Sequence, residues 1–113
     1  EPGLSSLLVV TRQAADTSEA GLMKRIHVFY YGRVQGVGFR ITAEETARSL
    51  GIVGWVKNVR DGRVELVAEA DQTTLERFLD DIRTGPMKNF ITQVELSWSN
   101  ATETFDEFEI RYY

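Results

Sequence analysis

From Lys24 onward the apolar residues switch between a two-residue period and a helical one, and the order of those switches restricts the fold more than any other feature of the chain. Ile26, Val28 and Tyr30 alternate with His27, Phe29 and Tyr31, as in a half-buried strand. Ala43, Ala47 and Leu50 then recur at helical spacing, and Gly51 supplies a C-terminal stop. Ile52 to Arg60 and Arg63 to Ala70 read as two strands around Asp61-Gly62, a pair that tolerates positive φ and suits a tight hairpin. Leu75, Phe78, Leu79 and Ile82 line one face of a second helix, opened by a capping box from Thr73 to Glu76 and closed by Gly85-Pro86. Val94, Leu96 and Trp98 alternate as a further strand, and Phe108, Ile110 and Tyr112 as a last one.

The order strand, helix, strand, strand, helix, strand predicts an α+β fold of the ferredoxin-like, split βαβ type (βαββαβ). Its sheet is expected to be antiparallel, with two helices on one face and a short C-terminal strand added. A length of 113 residues fits one domain, and 42% hydrophobic residues are enough for one core. That domain is expected over 23–113. Residues 1–22 hold one short apolar patch, Leu7 to Val10, followed by the polar stretch Gln13 to Gly21. They are expected to be a flexible N-terminal extension, with a docked strand around Leu7 to Val10 as the alternative. A signal peptide would want a basic start and a longer apolar centre, whereas this segment begins with Glu1.

Charge and composition exclude several functions. A net charge of -4 argues against an extended phosphate-backbone binder while permitting a local basic pocket. With 0 cysteines there is no thiol nucleophile or zinc-thiolate site, and the single His27 rules out a multi-histidine metal site. No apolar run approaches the roughly 20 residues of a membrane helix. The expectation is therefore a cytoplasmic monomer that uses no metal or cofactor and binds neither nucleic acid nor membrane.

Chemistry concentrates in Gly32-Arg33-Val34-Gln35-Gly36-Val37-Gly38-Phe39-Arg40, between the first strand and the first helix. Unpaired backbone amides and the positive end of the helix dipole make an anion site there, and glycines let the chain curl around the anion. Arg40 adds a guanidinium able to grip two phosphate oxygens at once. A dinucleotide fingerprint would need glycine where Ile41 stands, and a P-loop would need Gly-Lys followed by Ser or Thr. Gly36-Val37-Gly38-Phe39 echoes an RNA-recognition submotif, but it follows the first strand, where it cannot present rings on a sheet.

This loop, followed on the next strand by Gly54-Trp55-Val56-Lys57-Asn58, resembles the signature of the acylphosphatases. The likeness runs from about Lys24 to the C-terminus and includes the Gly51 stop and the Asp61-Gly62 hairpin in the same order. It implies a ferredoxin-like plait that hydrolyses small acyl phosphates to a carboxylate and inorganic phosphate, with Arg40 and Asn58 as the catalytic pair. On this reading the backbone of Gln35, Gly36, Val37, Gly38, Phe39 and Arg40 cradles the phosphate, and Asn58 orients the attacking water. Residues before Met23 have no counterpart in the family pattern.

The chemistry suits so few functional groups, since a carboxylate leaving group needs no general acid and phosphoryl transfer rests on positioning and charge. Arg33 and Lys57 read as solvated strand charges, His27 as a surface histidine, and Glu44, Glu45 and Arg48 as a solvated helix face. Phe39 is expected under the loop, with Trp55 and Trp98 as core or sheet-face aromatics. A noncatalytic module binding acyl or carbamoyl phosphate is the alternative, and single-stranded RNA binding on the sheet ranks behind it.

Overall fold

The computed structural model describes residues 8–13 and 22–112. Six strands form one sheet in the order β1-β5-β2-β4-β3-β6. They are β1 (Leu8–Gln13), β2 (Met23–Gly32), β3 (Val53–Asn58), β4 (Val64–Asp71), β5 (Ile91–Asn100) and β6 (Phe108–Arg111), with helices α1 (Phe39–Ser49) and α2 (Gln72–Thr84). The four central strands pair antiparallel, β5 with β2, β2 with β4 and β4 with β3, giving the ferredoxin-like core that the hydrophobic periods predict.

The plait is antiparallel as expected, and the two strands added outside it make the sheet as a whole mixed. Both outer strands are parallel to their neighbours, β1 to β5 and β6 to β3. Within the N-terminal segment, Leu8 to Gln13 form β1 in register with Gln93 to Trp98, which is the docked strand weighed as the alternative for this stretch. Four residues of apolar pattern carried too little period to separate a docked strand from a tail. Residues 1–7 and 14–21 lie outside the described residues, as does most of the segment expected to be flexible.

The core lies on one face of the sheet. Ile26, Val28 and Tyr30 of β2 and Leu66, Ala68 and Ala70 of β4 meet Phe39, Ala43 and Ala47 of α1 and Leu75, Phe78 and Ile82 of α2. Helix α1 ends in a Schellman turn: Ile52 N–H reaches the Ala47 carbonyl at 2.9 Å and Gly51 N–H the Arg48 carbonyl at 3.2 Å, with Gly51 at φ 72. Helix α2 is capped by Asp71, whose carboxylate accepts from Thr74 N–H at 2.8 Å, and not by Thr73 as its capping-box pattern suggests. Hydrogen bonds from Thr74 hold the Asp71 carboxyl below its ordinary pKa.

The β3–β4 hairpin also differs from expectation. Val59 N–H donates to the Arg63 carbonyl at 2.8 Å and Gly62 N–H to the Val59 carbonyl at 3.0 Å, so the loop holds Arg60, Asp61 and Gly62. Only Gly62 has positive φ, as in a turn followed by a glycine bulge. A 3-10 turn at Lys88–Phe90, for which no sequence signal was read, leads into β5. Arg48, expected as a solvated charge, pairs with Glu44 at 3.3 Å and also donates to the Phe108 carbonyl at 2.8 Å, tying α1 to β6.

The segment 101–107 links β5 to β6 past three intervening strands. That is a span of about 19 Å at the usual strand spacing, and eight residue steps reach at most about 28 Å, so the link crosses it with little room to wander. Glu69 of β4 holds it down. The carboxylate is 1% exposed and accepts from Arg25 Nε at 2.8 Å, Thr102 N–H at 2.9 Å, Thr102 Oγ1 at 3.0 Å and Glu103 N–H at 2.8 Å. Burial would raise its pKa, but these donors outweigh burial and hold it below the ordinary glutamate value. Among the described residues no helix is long and apolar enough to cross a membrane.

Candidate active site

Strand directions bring the motif residues together. β2 and β3 each pair antiparallel with β4, so they run the same way and end on the same side of the sheet. Val64, the first residue of β4, pairs with Tyr30 on one flank and Asn58 on the other. The loop leaving β2 and the last residue of β3 are therefore neighbours across a single strand. β6 runs parallel to β3 and delivers Tyr112 to the same end.

The loop turns sharply as it leaves the sheet. The β2–β5 register shifts at Tyr31/Gly32, and Arg33 N–H donates to the Phe90 carbonyl at 2.9 Å. Gly36 (φ 78) and Gly38 (φ 85) stand in the left-handed region, and Gly38 is the N-cap of α1 without any side-chain cap. The first amide to return to the helix is Thr42 N–H, bonded to the Gly38 carbonyl at 3.0 Å. Among the described residues, the backbone N–H groups of Gly36, Val37, Gly38, Phe39 and Arg40 donate to no protein acceptor. They remain available to an anion at a helix N-terminus.

Underneath, Phe39 is 2% exposed and its ring centroid lies 4.9 Å from that of Tyr30. Burial raises the Tyr30 phenol pKa, and its hydroxyl has no protein partner. The loop thus rests on an aromatic floor.

A cavity of about 190 Å³ is lined by Val34, Gly36, Gly38, Phe39, Arg40, Ile41 and Asn58. It gathers both residues of the expected catalytic pair, Arg40 and Asn58, and four of the six cradle positions, Gly36, Gly38, Phe39 and Arg40 itself. Asn58 Oδ1 is buried and accepts no hydrogen bond from the protein. An orphaned carbonyl of that kind costs about 1–3 kcal/mol of desolvation, which marks the position for something other than stability. Arg40 stacks on Tyr112, and none of the described ion pairs involves it.

Two features of the site carried no sequence signal. The Gln35 side chain, read only for its backbone amide, donates through Nε2 to the Val59 carbonyl at 2.7 Å and the Arg63 carbonyl at 2.9 Å. Tyr112, read as a strand residue, reaches Arg40 only because β6 adds parallel to β3. His27 stays on the opposite sheet face, its Nε2 2.7 Å from a Glu65 carboxylate oxygen. On that face the Arg63 guanidinium covers the Phe29 ring at 4.2 Å, and Glu65 and Glu69 lie alongside, an arrangement unsuited to stacking nucleotides.

Residues 26–110 match the family model described as Acylphosphatase. The chain belongs to the acylphosphatase family. A curated acylphosphatase of Methylococcus capsulatus is 44% identical over 88 residues, covering 78% of this chain and 96% of that relative. One from Thermococcus kodakarensis is 46% identical over 90 residues, covering 78% and 98%. Among solved structures, the acylphosphatase of Bacillus subtilis superposes with a TM-score of 0.74 at 35% identity, over 79% of this chain and 99% of that one. Acylphosphatase membership makes the chain a hydrolase, and the matched span holds the loop, Asn58 and the core cluster from Ile26 to Phe108.

Proposed function

We propose that the chain hydrolyses the carboxyl-phosphate bond of small acyl phosphates in the cavity between the 35–40 loop and Asn58, releasing a carboxylate and inorganic phosphate. The observation that carries this reading is one cavity shared by Asn58, whose Oδ1 has no protein partner, and by loop residues whose amides donate to no protein acceptor. An acceptor there suits the hydrogen of a water molecule, and the amides suit phosphoryl oxygens.

In this mechanism the amides of Gln35 to Arg40 and the Arg40 guanidinium hold the phosphoryl group and neutralise its charge. Asn58 accepts a hydrogen bond from water and aligns it with phosphorus. The water oxygen forms the new P–O bond as the bond to the acyl oxygen breaks, and that electron pair leaves on the carboxylate. Asn58 is no base, so the water's proton passes to a phosphoryl oxygen. The leaving carboxylate is a weak base and requires no acid, and no step calls for a metal or cofactor. We propose that the protein does this as a monomer.

The test is phosphate release from benzoyl phosphate with a chelator present. Catalytic turnover supports the reading. Tight phosphate binding without turnover overturns it in favour of a binding module.

A further inference from the structure

We propose that Gln35 is a positioning residue for Asn58, acting through the β3–β4 hairpin; this rests on the hydrolysis proposed above. The Gln35 carboxamide nitrogen carries two hydrogens and uses both, one on the Val59 carbonyl at 2.7 Å and one on the Arg63 carbonyl at 2.9 Å. Val59 and Arg63 face each other at the base of the hairpin, where Val59 N–H also donates to the Arg63 carbonyl. Gln35 therefore clamps the pair that closes the hairpin, and Val59 directly follows Asn58.

The clamp stands where the sheet runs out. The β2–β4 ladder ends at Tyr30 with Val64, and β2 departs from the sheet at Gly32. Beyond Val64 the hairpin has no strand on that flank. The side chain of Gln35, returning from the loop that continues β2, instead supplies donors to two carbonyls that already face each other across the hairpin. Asn58 is fixed on one side by its register with Val64 and on the other by Val59 under the clamp. One side chain thus sets the distance between the two walls of the cavity, and the Asn58 wall is the one whose chemistry depends on direction. Reacting groups must be held to within about 0.5 Å and 10–20°, and a misplacement of about 1 Å costs on the order of 100-fold in rate.

Gln35→Met keeps the length of the side chain and removes both donors. The expected result is a 10- to 100-fold fall in kcat for benzoyl phosphate (a loss on the order of that for misplacing a reacting group). The inhibition constant of inorganic phosphate should change less than about threefold, because Arg40 and the loop amides remain. In an Asn58→Ala background the same substitution should alter kcat less than about twofold, since its route of action is already gone. In Gln35→Glu an ionised carboxylate faces two carbonyls. Its kcat relative to wild type should recover below about pH 5 as the carboxyl regains one donor. Equal losses with and without Asn58, or a loss confined to phosphate affinity, overturn the inference while leaving the proposed function standing. If Gln35→Met does not fold, a flat pH profile of the relative kcat of Gln35→Glu overturns it instead. A wild-type protein without turnover overturns the proposed function, and this inference with it.

Discussion

The guanidinium carbon of Arg40 lies 5.1 Å from the ring centroid of Tyr112. Tyr112 is 79% exposed, so the contact contributes little to folding, and its effect falls on Arg40. A cation held over a ring at an exposed site is worth about 0.5–1 kcal/mol. Tyr112→Ala should therefore weaken inorganic phosphate inhibition about two- to fivefold and leave the melting temperature unchanged. Tyr112→Phe should behave as wild type. A loss of affinity in the Phe variant would show that the hydroxyl, and not the ring face, holds Arg40.

Arg40 and Asn58 should fail in different ways. Arg40→Gln removes the charge that neutralises the phosphoryl group, so both phosphate affinity and kcat should fall. Asn58→Ala should lower kcat about 100- to 1000-fold, as for the loss of one transition-state hydrogen bond. Its phosphate affinity should stay close to that of wild type. The same substitution discards a buried oxygen that has no protein partner, and its stability should be equal to or up to about 1 kcal/mol above wild type. Steady-state kinetics with phosphate as inhibitor, together with thermal melts, check both statements.

Glu69 ties stability to pH. Its carboxyl titrates below the ordinary value of 4.5 in the folded protein, so its contribution is complete above that value and is lost as pH falls through the lowered folded pKa. Glu69→Gln keeps the shape, leaves Arg25 without its buried partner and weakens the bonds from Thr102 and Glu103. It should cost about 2–4 kcal/mol at pH 7. Urea denaturation of both proteins should show the gap constant down to about pH 5.5 and narrowing below about pH 4.5. A gap that widens in acid would contradict this assignment.

The central strands and both helices were legible because each has one buried face, and burial on one face writes a period into the sequence: Ile26, Val28 and Tyr30 on β2, Leu75, Phe78 and Ile82 on α2. The glycines of the loop and Asn58 were legible through the family signature. Contacts set by the direction in which edge strands add were not. Tyr112 meets Arg40, and β1 meets β5, through parallel pairing, which leaves no local pattern in either partner. The Gln35 clamp was hidden for a related reason, since its acceptors are backbone carbonyls, and those carry no side-chain signal. Thr73 lost the α2 cap to Asp71 because β4 runs up to Asp71 and the helix begins at the next residue.

Gly54 marks the tightest backbone contact behind Asn58. It sits on β3 at φ 143, and a Cβ there would stand 1.9 Å from the Val67 carbonyl oxygen on β4. Neither atom can move without separating the two strands that carry Asn58 and Val64. Gly54→Ala should destabilise the protein by more than about 3 kcal/mol, combining a strained backbone with a backbone clash. Chemical denaturation of this variant is the check. A loss below about 1 kcal/mol would mean that β3 can shift against β4 without harm.

The strand β1 tests where the folding unit begins. It pairs with β5 at the edge of the sheet, whereas the core cluster among the described residues runs from Ile26 to Phe108. We therefore expect a protein starting at Leu22 to fold and to keep kcat for benzoyl phosphate within about twofold, since the site lies on β2, β3 and β6. What it loses is the cover on the outer edge of β5, a strand of ten residues still paired with β2 on its other side, whose outward backbone groups then face solvent. An uncovered strand of that length is a template for pairing with other chains. The truncated protein should melt about 4–8 °C lower for each kcal/mol of pairing lost, and it should aggregate faster when heated, as light scattering would show. If it fails to fold, β1 is part of the domain and the boundary at Met23 is wrong.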